Sequence, residues 1–210
     1  MTGNGEPAAG RHSHLPVRHS HSRLPLFHLL LAVLLVAAAG PLAAQEGVFL
    51  TEDQAPAAVF PAVATFTRQV IAVTPEIKAH LRERLGAVEP SLWETEYVTF
   101  KATRGDTLLG YAVIVEEIGK HRPITFVVGV RANGTVNDVA VMAYREAYGG
   151  EVKSKRFLAQ YHDKSIGSSL QSPTDIMNIA GATLSVDAAS RAVKKALAVA
   201  AVALGVGGAS

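Results

Sequence analysis

Residues 175–185, Asp-Ile-Met-Asn-Ile-Ala-Gly-Ala-Thr-Leu-Ser, have types and an order that suit phosphate chemistry. Gly181 and Ala182 remove side-chain bulk, so a ligand can approach the backbone. Thr183 and Ser185, on either side of Leu184, place two hydroxyls where a helical pattern begins. The first N–H groups of a helix lack intrahelical partners and carry partial positive charge, which favours a phosphate. The same residues would also serve as an ordinary cap, a Thr or Ser opening a helix after a glycine-containing loop. Elsewhere the chain offers little catalytic chemistry. It has no Walker loop, no dinucleotide-binding glycine fingerprint and no nucleophile elbow. His80, His121 and His162 are dispersed, without the spacing of zinc ligands. Glu116 and Glu117 are adjacent, so on a strand they point to opposite faces and cannot form a dyad. No catalytic residue and no metal ligand is assigned.

These residues need a scaffold, and the flanking pattern predicts one. Thr51-Glu52-Asp53-Gln54 fits a capping box for a short helix to about Phe60, ended by Pro61. Residues 63–72 suit a strand. Thr74-Pro75 starts a helix through Leu81 and Leu85, with Gly86 as its C′ residue. Four strand patterns follow closely, 96–102, 108–115, 124–130 and 136–143, and predict an antiparallel meander. The run 108–115 is apolar on both faces, as a central strand would be, and Ile124, Phe126, Val128 and Val130 alternate. Arg104-Gly105-Asp106 and Asn133-Gly134-Thr135 read as turns rather than as an adhesion tripeptide and a glycosylation site. After Gly149-Gly150 comes a short helix over 152–161, then a loop over 165–174. A last helix runs from about Ser185 to Leu204, with Val186, Ala189, Val193, Leu197, Ala200 and Leu204 on one face. Its uncharged end, Ala196 to Val206, is eleven residues long, too short for a bilayer, and is assigned to the core. The expected fold is α+β: an antiparallel sheet flanked by helices, with the ligand site at the N-terminus of the last helix.

Three blocks ahead of that helix carry a family resemblance. Gly181-Ala182-Thr183-Leu184-Ser185 resembles the flavinylation site of the FMN-binding domain family, which includes extracytoplasmic subunits of Rnf and sodium-pumping quinone reductase complexes. Gly119-Lys120-His121-Arg122-Pro123-Ile124-Thr125-Phe126 resembles the segment before a family strand. Tyr144-Arg145-Glu146-Ala147-Tyr148-Gly149-Gly150-Glu151-Val152 resembles the family's flavin-facing turn. The resemblance implies FMN as cofactor, linked through its phosphate to Thr183 by a flavin transferase that takes FMN from FAD. It implies that Gly181, Ala182, Leu184 and Ser185 surround the linkage. Tyr144, Tyr148 and the Gly149-Gly150 backbone would wall the ring, with Glu146 as a polar partner. Two positions depart from the family pattern, which has Asp six residues and Ser or Thr three residues before the acceptor. Met177 and Ala180 stand there, and Asp175, eight before, is expected to substitute through a shifted turn. The implied function is extracytoplasmic electron transfer with a membrane or periplasmic redox partner. The alternatives are a flavin-dependent reductase of a small acceptor and a non-redox periplasmic binding or structural domain.

Composition places these features in a compartment. The chain has 210 residues, 49% hydrophobic, with no cysteine, which excludes disulfides, thiol nucleophiles and cysteine-held iron–sulfur clusters. Residues 1–44 contain Arg11, Arg18 and Arg23, one acid, Glu6, and five of the eight histidines. Eleven apolar residues, Leu29 to Ala39, precede Gly40-Pro41-Leu42-Ala43-Ala44. This is the pattern of a secretory signal peptide cleaved after Ala44, with an uncleaved anchor as the alternative. The histidines are read as its polar part, not as a metal tract. The remaining 45–210, expected to be one FMN-binding domain, then holds 17 basic and 17 acidic residues. Such a balance gives no basic surplus for a nucleic acid. The expected location is exported, in the periplasm or on the outer face of the cytoplasmic membrane.

Overall fold

The computed structural model describes residues 47–85 and 89–207. The predicted leader over 1–44 and the predicted helix stop at Gly86 lie outside the described residues.

The architecture is an α+β fold built on a six-stranded antiparallel sheet. In chain order the strands are β1 (Gly47–Val48), β2 (Thr65–Ala72), β3 (Glu96–Arg104), β4 (Thr107–Ile118), β5 (Pro123–Arg131) and β6 (Val136–Tyr144). The sheet order is β1-β6-β5-β4-β3-β2. Strands β3 to β6 form the expected meander, β2 pairs antiparallel with β3 at one edge, and β1, which has no visible alternation, adds to the β6 edge through Gly47 opposite Tyr144. β5 is buried on both faces, while β4 beside it buries Gly110, Ala112, Val113, Val115 and Glu117 and leaves Tyr111, Ile114 and Glu116 between them half-buried. The turn Arg104-Gly105-Asp106 joins β3 to β4, and Asn133-Gly134 joins β5 to β6. Asn133 Oδ1 accepts the Thr135 N–H at 3.1 Å and the Thr135 hydroxyl at 2.8 Å, closing the hairpin with its own side chain.

Helices cover both faces. α1 (Ala55–Val59) starts later than the capping box predicts. Gln54 Oε1 does accept the Thr51 N–H at 3.0 Å, but residues 52–54 form a turn. α1 packs Ala55 and Val59 against Phe100, Ala102, Ala112, Val127 and Met142. α2 (Pro75–Leu85) starts at the predicted Thr74-Pro75, where Thr74 Oγ1 accepts the Ile77 N–H at 3.3 Å. A 3₁₀ turn, Gly150–Lys153, the one-turn α3 (Lys155–Leu158) and a second 3₁₀ turn, Ala159–Tyr161, replace the single helix expected over 152–161. α4 (Thr183–Leu204) is the longest helix among the described residues, at 22 residues.

α4 and α2 lie on the opposite face from α1, over Val113, Val115, Ile124, Phe126, Val128 and Val130. The predicted face of α4, Val186, Ala189, Val193, Leu197 and Ala200, is buried there. Full burial of each valine or leucine contributes roughly 1.5–3 kcal/mol, while the alanines let the helix approach the sheet closely. Of the uncharged end expected in the core, Ala196 to Ala200 and Val206 are buried, residues 201–204 are half-buried and Gly205 is exposed. No helix of the described residues is long and apolar enough to cross a membrane.

Candidate functional site

The meander brings three chain segments to one end of the sheet. Ile118 at the end of β4 pairs with Pro123 at the start of β5, and Ile124 pairs with Tyr144 at the end of β6. The 119–122 loop and the turn after Tyr144 therefore emerge side by side. The N-terminus of α4 completes the group. Between them lies a cleft of about 460 Å³, lined by Lys120, His121, Glu146, Ala147, Tyr148 and residues Gly181 to Ser185. That volume lies within the roughly 300–1,000 Å³ of small-molecule sites.

Thr183 is the first residue of α4, two positions earlier than the periodicity suggests. The N-cap is Ala182, and no side chain caps the helix. The Thr183 hydroxyl is therefore not engaged in capping. It is exposed in the cleft and accepts a hydrogen bond from Asn178 Nδ2 at 3.0 Å. Of the N–H groups that open α4, that of Ser185 donates to the Ala182 carbonyl at 2.9 Å, which leaves those of Thr183 and Leu184 and their partial positive charge to an anion. Lys120 adds a full positive charge to the same cleft. Gly181 has φ +81°, and a Cβ on it would meet no protein atom within 4 Å, so the space beside it is open.

Tyr148 is 84% exposed, presenting an aromatic face at the cleft with Leu184, which is half exposed. Tyr144 sits lower. It is buried, and its hydroxyl donates to the Tyr148 carbonyl, so the 3.0 Å contact with Ser185 Oγ has the serine as donor. Burial raises the Tyr144 phenol above its usual pKa, partly offset by the Ser185 bond. Gly149 fills the gap between these groups. It has φ +82°, and a Cβ would lie 2.8 Å from Ser185 Oγ and 3.0 Å from the Tyr144 hydroxyl. The site thus has two layers: an exposed one of Tyr148, Gly181, Thr183 and Leu184, and a buried one of Tyr144, Gly149 and Ser185.

Several sequence assignments shift accordingly. Tyr144, expected on the ring-side wall, lies beneath it because its hydroxyl ties the turn to α4. The Ser185 hydroxyl, expected to face a ligand, is turned inward to Tyr144. Gly150 belongs to the 3₁₀ turn, beside Lys153, and does not line the cleft. Glu146 does line it, but its Oε1 accepts the N–H groups of His121 at 2.5 Å and Arg122 at 2.9 Å. Burial would raise this carboxyl, yet the N–H groups of Arg122, His121 and Lys120 outweigh it and hold the pKa below the usual value. Glu146 is thus the anchor of the 119–122 loop. Asp175 does not substitute for the missing family aspartate. Its carboxylate pairs with Lys164 and accepts the Leu170 N–H at 3.0 Å, fastening its own loop. The Lys164 bond, above all, lowers its pKa.

Lys120, His121, Ala147 and Asn178 were not among the assigned site residues. Lys120 and His121 read as a polar loop, since only folding brings that loop to the α4 N-terminus. Asn178 had a local signal. It lies five residues before Thr183, in a short polar side chain's reach of the backbone, and its Oδ1 accepts the Ile179 N–H at 2.9 Å.

Residues 119–198 match the family model of the FMN-binding domain. The match begins at the 119–122 loop and ends within α4, so every residue lining the cleft falls inside it. No curated protein matches the chain. The chain contains an FMN-binding domain.

Proposed function

We propose that this FMN-binding domain works outside the cytoplasm as an electron carrier or carrier subunit, with FMN joined through its phosphate to Thr183. The observation that carries the reading is the Thr183 hydroxyl, exposed at an uncapped helix N-terminus and free of any capping role. The residues present fit the group. The Thr183 and Leu184 N–H groups and the Lys120 ammonium suit the phosphate, the open side of Gly181 admits it, and Tyr148 offers a ring-sized aromatic face.

Bound FMN supplies one- and two-electron redox chemistry. The chain's own residues attach, orient and shield it. In the attachment step Thr183 Oγ forms a bond to the FMN-side phosphorus of FAD. The bond from that phosphorus to the bridging oxygen breaks, AMP leaves, and the hydroxyl proton passes to a base on the flavin transferase. No electrons change hands in this step. A covalent link suits an exported carrier, because FMN released outside the cytoplasm would be diluted away. The signal-peptide pattern of residues 1–44 supports that location. A membrane or periplasmic redox protein is the proposed partner, since no acid–base set for a substrate was found in the sequence.

Peptide mass spectrometry across Gln171 to Arg191 tests the reading, on protein co-expressed with a flavin transferase. The expected wild-type peptide is heavier by one FMN less water, and Thr183→Ala abolishes the adduct. A colourless wild-type protein under riboflavin excess would sink the reading. Fast reoxidation of the flavin by a small acceptor, without a protein partner, would instead favour a reductase.

A further inference from the structure

We infer that Asn178 is the positioning residue for the Thr183 hydroxyl, taking up locally what the departures at Met177 and Ala180 leave undone; this rests on the reading of Thr183 as the FMN acceptor. Three observations carry it. First, Asn178 Nδ2 donates to Thr183 Oγ1 at 3.0 Å. Second, the amide has one orientation. Its Oδ1 accepts the Ile179 N–H at 2.9 Å, which leaves Nδ2 as the end that faces Thr183. Third, the chain entering Asn178 is pinned. Ile176 is fully buried, and the Met177 N–H donates to Gln160 Oε1 at 2.8 Å. Asn178 itself stays exposed, so the bond is presented at the surface where a transferase must reach it.

The chemical consequence follows from the direction of the bond. Thr183 Oγ accepts from Asn178, so its own proton points away from the amide, available to a base on the transferase. One lone pair is held by the amide, and the other is left to attack phosphorus. Free rotation about the Thr183 side chain would place the proton and the attacking lone pair wrongly for part of the time. A donated hydrogen bond also stabilises negative charge developing on Oγ as the proton leaves. The P–O bond to Thr183 forms, the P–O bond to AMP breaks, and the proton leaves with the base, as above.

The test uses the full chain, a flavin transferase and FAD, with covalent FMN followed by intact mass. Asn178→Ala is expected to lower the saturated labelling rate about tenfold, the worth of one well-placed hydrogen bond, with the KM for the carrier protein and the melting temperature unchanged. A merely structural role would instead raise KM or lower the melting temperature at an unchanged saturated rate, and either pattern overturns the inference. The bond itself has an independent readout. In ¹⁵N NMR of the protein without flavin, Thr183→Val should move the Asn178 side-chain amide signals and speed their exchange with water. Unmoved signals overturn the inference. Wild type labelled, with Asn178→Ala labelled equally fast, rejects the role of Asn178 alone. Wild type that takes no FMN rejects the reading of Thr183 and the role of Asn178 with it.

Discussion

The Tyr144 hydroxyl joins two pieces of the site that are far apart in the chain. It donates to the Tyr148 carbonyl and receives the Ser185 hydroxyl, fixing the post-β6 turn to the first turn of α4. Tyr144→Phe keeps the ring in the core but leaves the Ser185 hydroxyl and the Tyr148 carbonyl without that partner. An unmade buried hydrogen bond costs roughly 1–3 kcal/mol. The expected result is a lower urea midpoint with an unchanged slope, together with weaker FMN retention, because Tyr148 loses the bond that holds its backbone. Urea denaturation followed by circular dichroism checks the first part, and flavin fluorescence checks the second. The residue types of this site were legible in the sequence, but their layering was not. Tyr144 and Tyr148 look equivalent in a list. Only the pleat of β6 and the packing of α4 make one of them 5% exposed and the other 84% exposed. Asn178 and Asp175 make the same point. Both are polar residues ahead of Thr183, and the pairing of Asp175 with Lys164 decides which of them reaches it.

At the scale of elements, the periodic stretches were legible and the short ones were not. β5 and the buried face of α4 were legible because burial dictates residue type. β1 has two residues and no pattern of its own; it exists because the β6 edge offers it partners. The 119–122 loop gains its shape in the same non-local way. Gly119 N–H donates to Arg122 O at 3.0 Å, and Glu146 Oε1 accepts from the two N–H groups inside the turn. Because the folded carboxyl of Glu146 is held below its usual value near 4.5, the unfolded chain takes up the proton first. Its contribution is therefore fully present above that value and lost as pH falls through the lower, folded one. Stability measured by denaturant titration should change little through Glu146 between neutrality and about pH 4.5, then fall on further acidification. Glu146→Gln keeps an oxygen for the two N–H groups and removes the titration, so the acid-side slope should become shallower. Asp175, also depressed, leaves part of the slope in place. An unchanged slope in the variant would show that the loop does not depend on the charge.

Considered as a whole, the molecule uses α4 twice. Its N-terminus opens the cleft, and about 18 Å along the axis, at twelve residues of 1.5 Å rise, Lys195 is fully buried among charged partners. Lys195 Nζ lies 2.7 Å from Glu94 Oε1, 2.8 Å from Glu117 Oε1 and 2.6 Å from the Glu116 carbonyl. Its ammonium also sits 4.9 Å from the Trp93 ring centre. Arg191 contacts the other oxygen of Glu117 at 3.2 Å and the Ile118 carbonyl at 2.7 Å. Glu116 points the other way, to Thr125 at 2.7 Å and Arg145 at 3.7 Å, as the alternation of a strand requires. The cluster thus clamps α4 onto the end of β4, directly before the loop that reaches the cleft. Lys195 finds its partner Glu94 101 residues away in the chain, a pairing that no local pattern announces. Burial pushes the Glu117 carboxyl up, and the charges of Lys195 and Arg191 only partly restore it, so Glu117 relies on both cations. Lys195→Met removes the cation that lies between Glu94 and Glu117 and leaves the buried Glu117 with Arg191 alone. Breaking a buried pair from one side costs roughly 3–5 kcal/mol, so the melting temperature should drop sharply. Lys195→Met combined with Glu117→Leu should lose less than the two single losses summed, because the second change removes the charge the first one strands. Covalent FMN uptake by the protein that remains folded at low temperature should match wild type in both variants, since the cluster touches no residue of the cleft. Intact mass after labelling, set beside the melting curves, separates the two effects. A slowed labelling rate in folded Lys195→Met would mean that the clamp also sets the position of the α4 N-terminus.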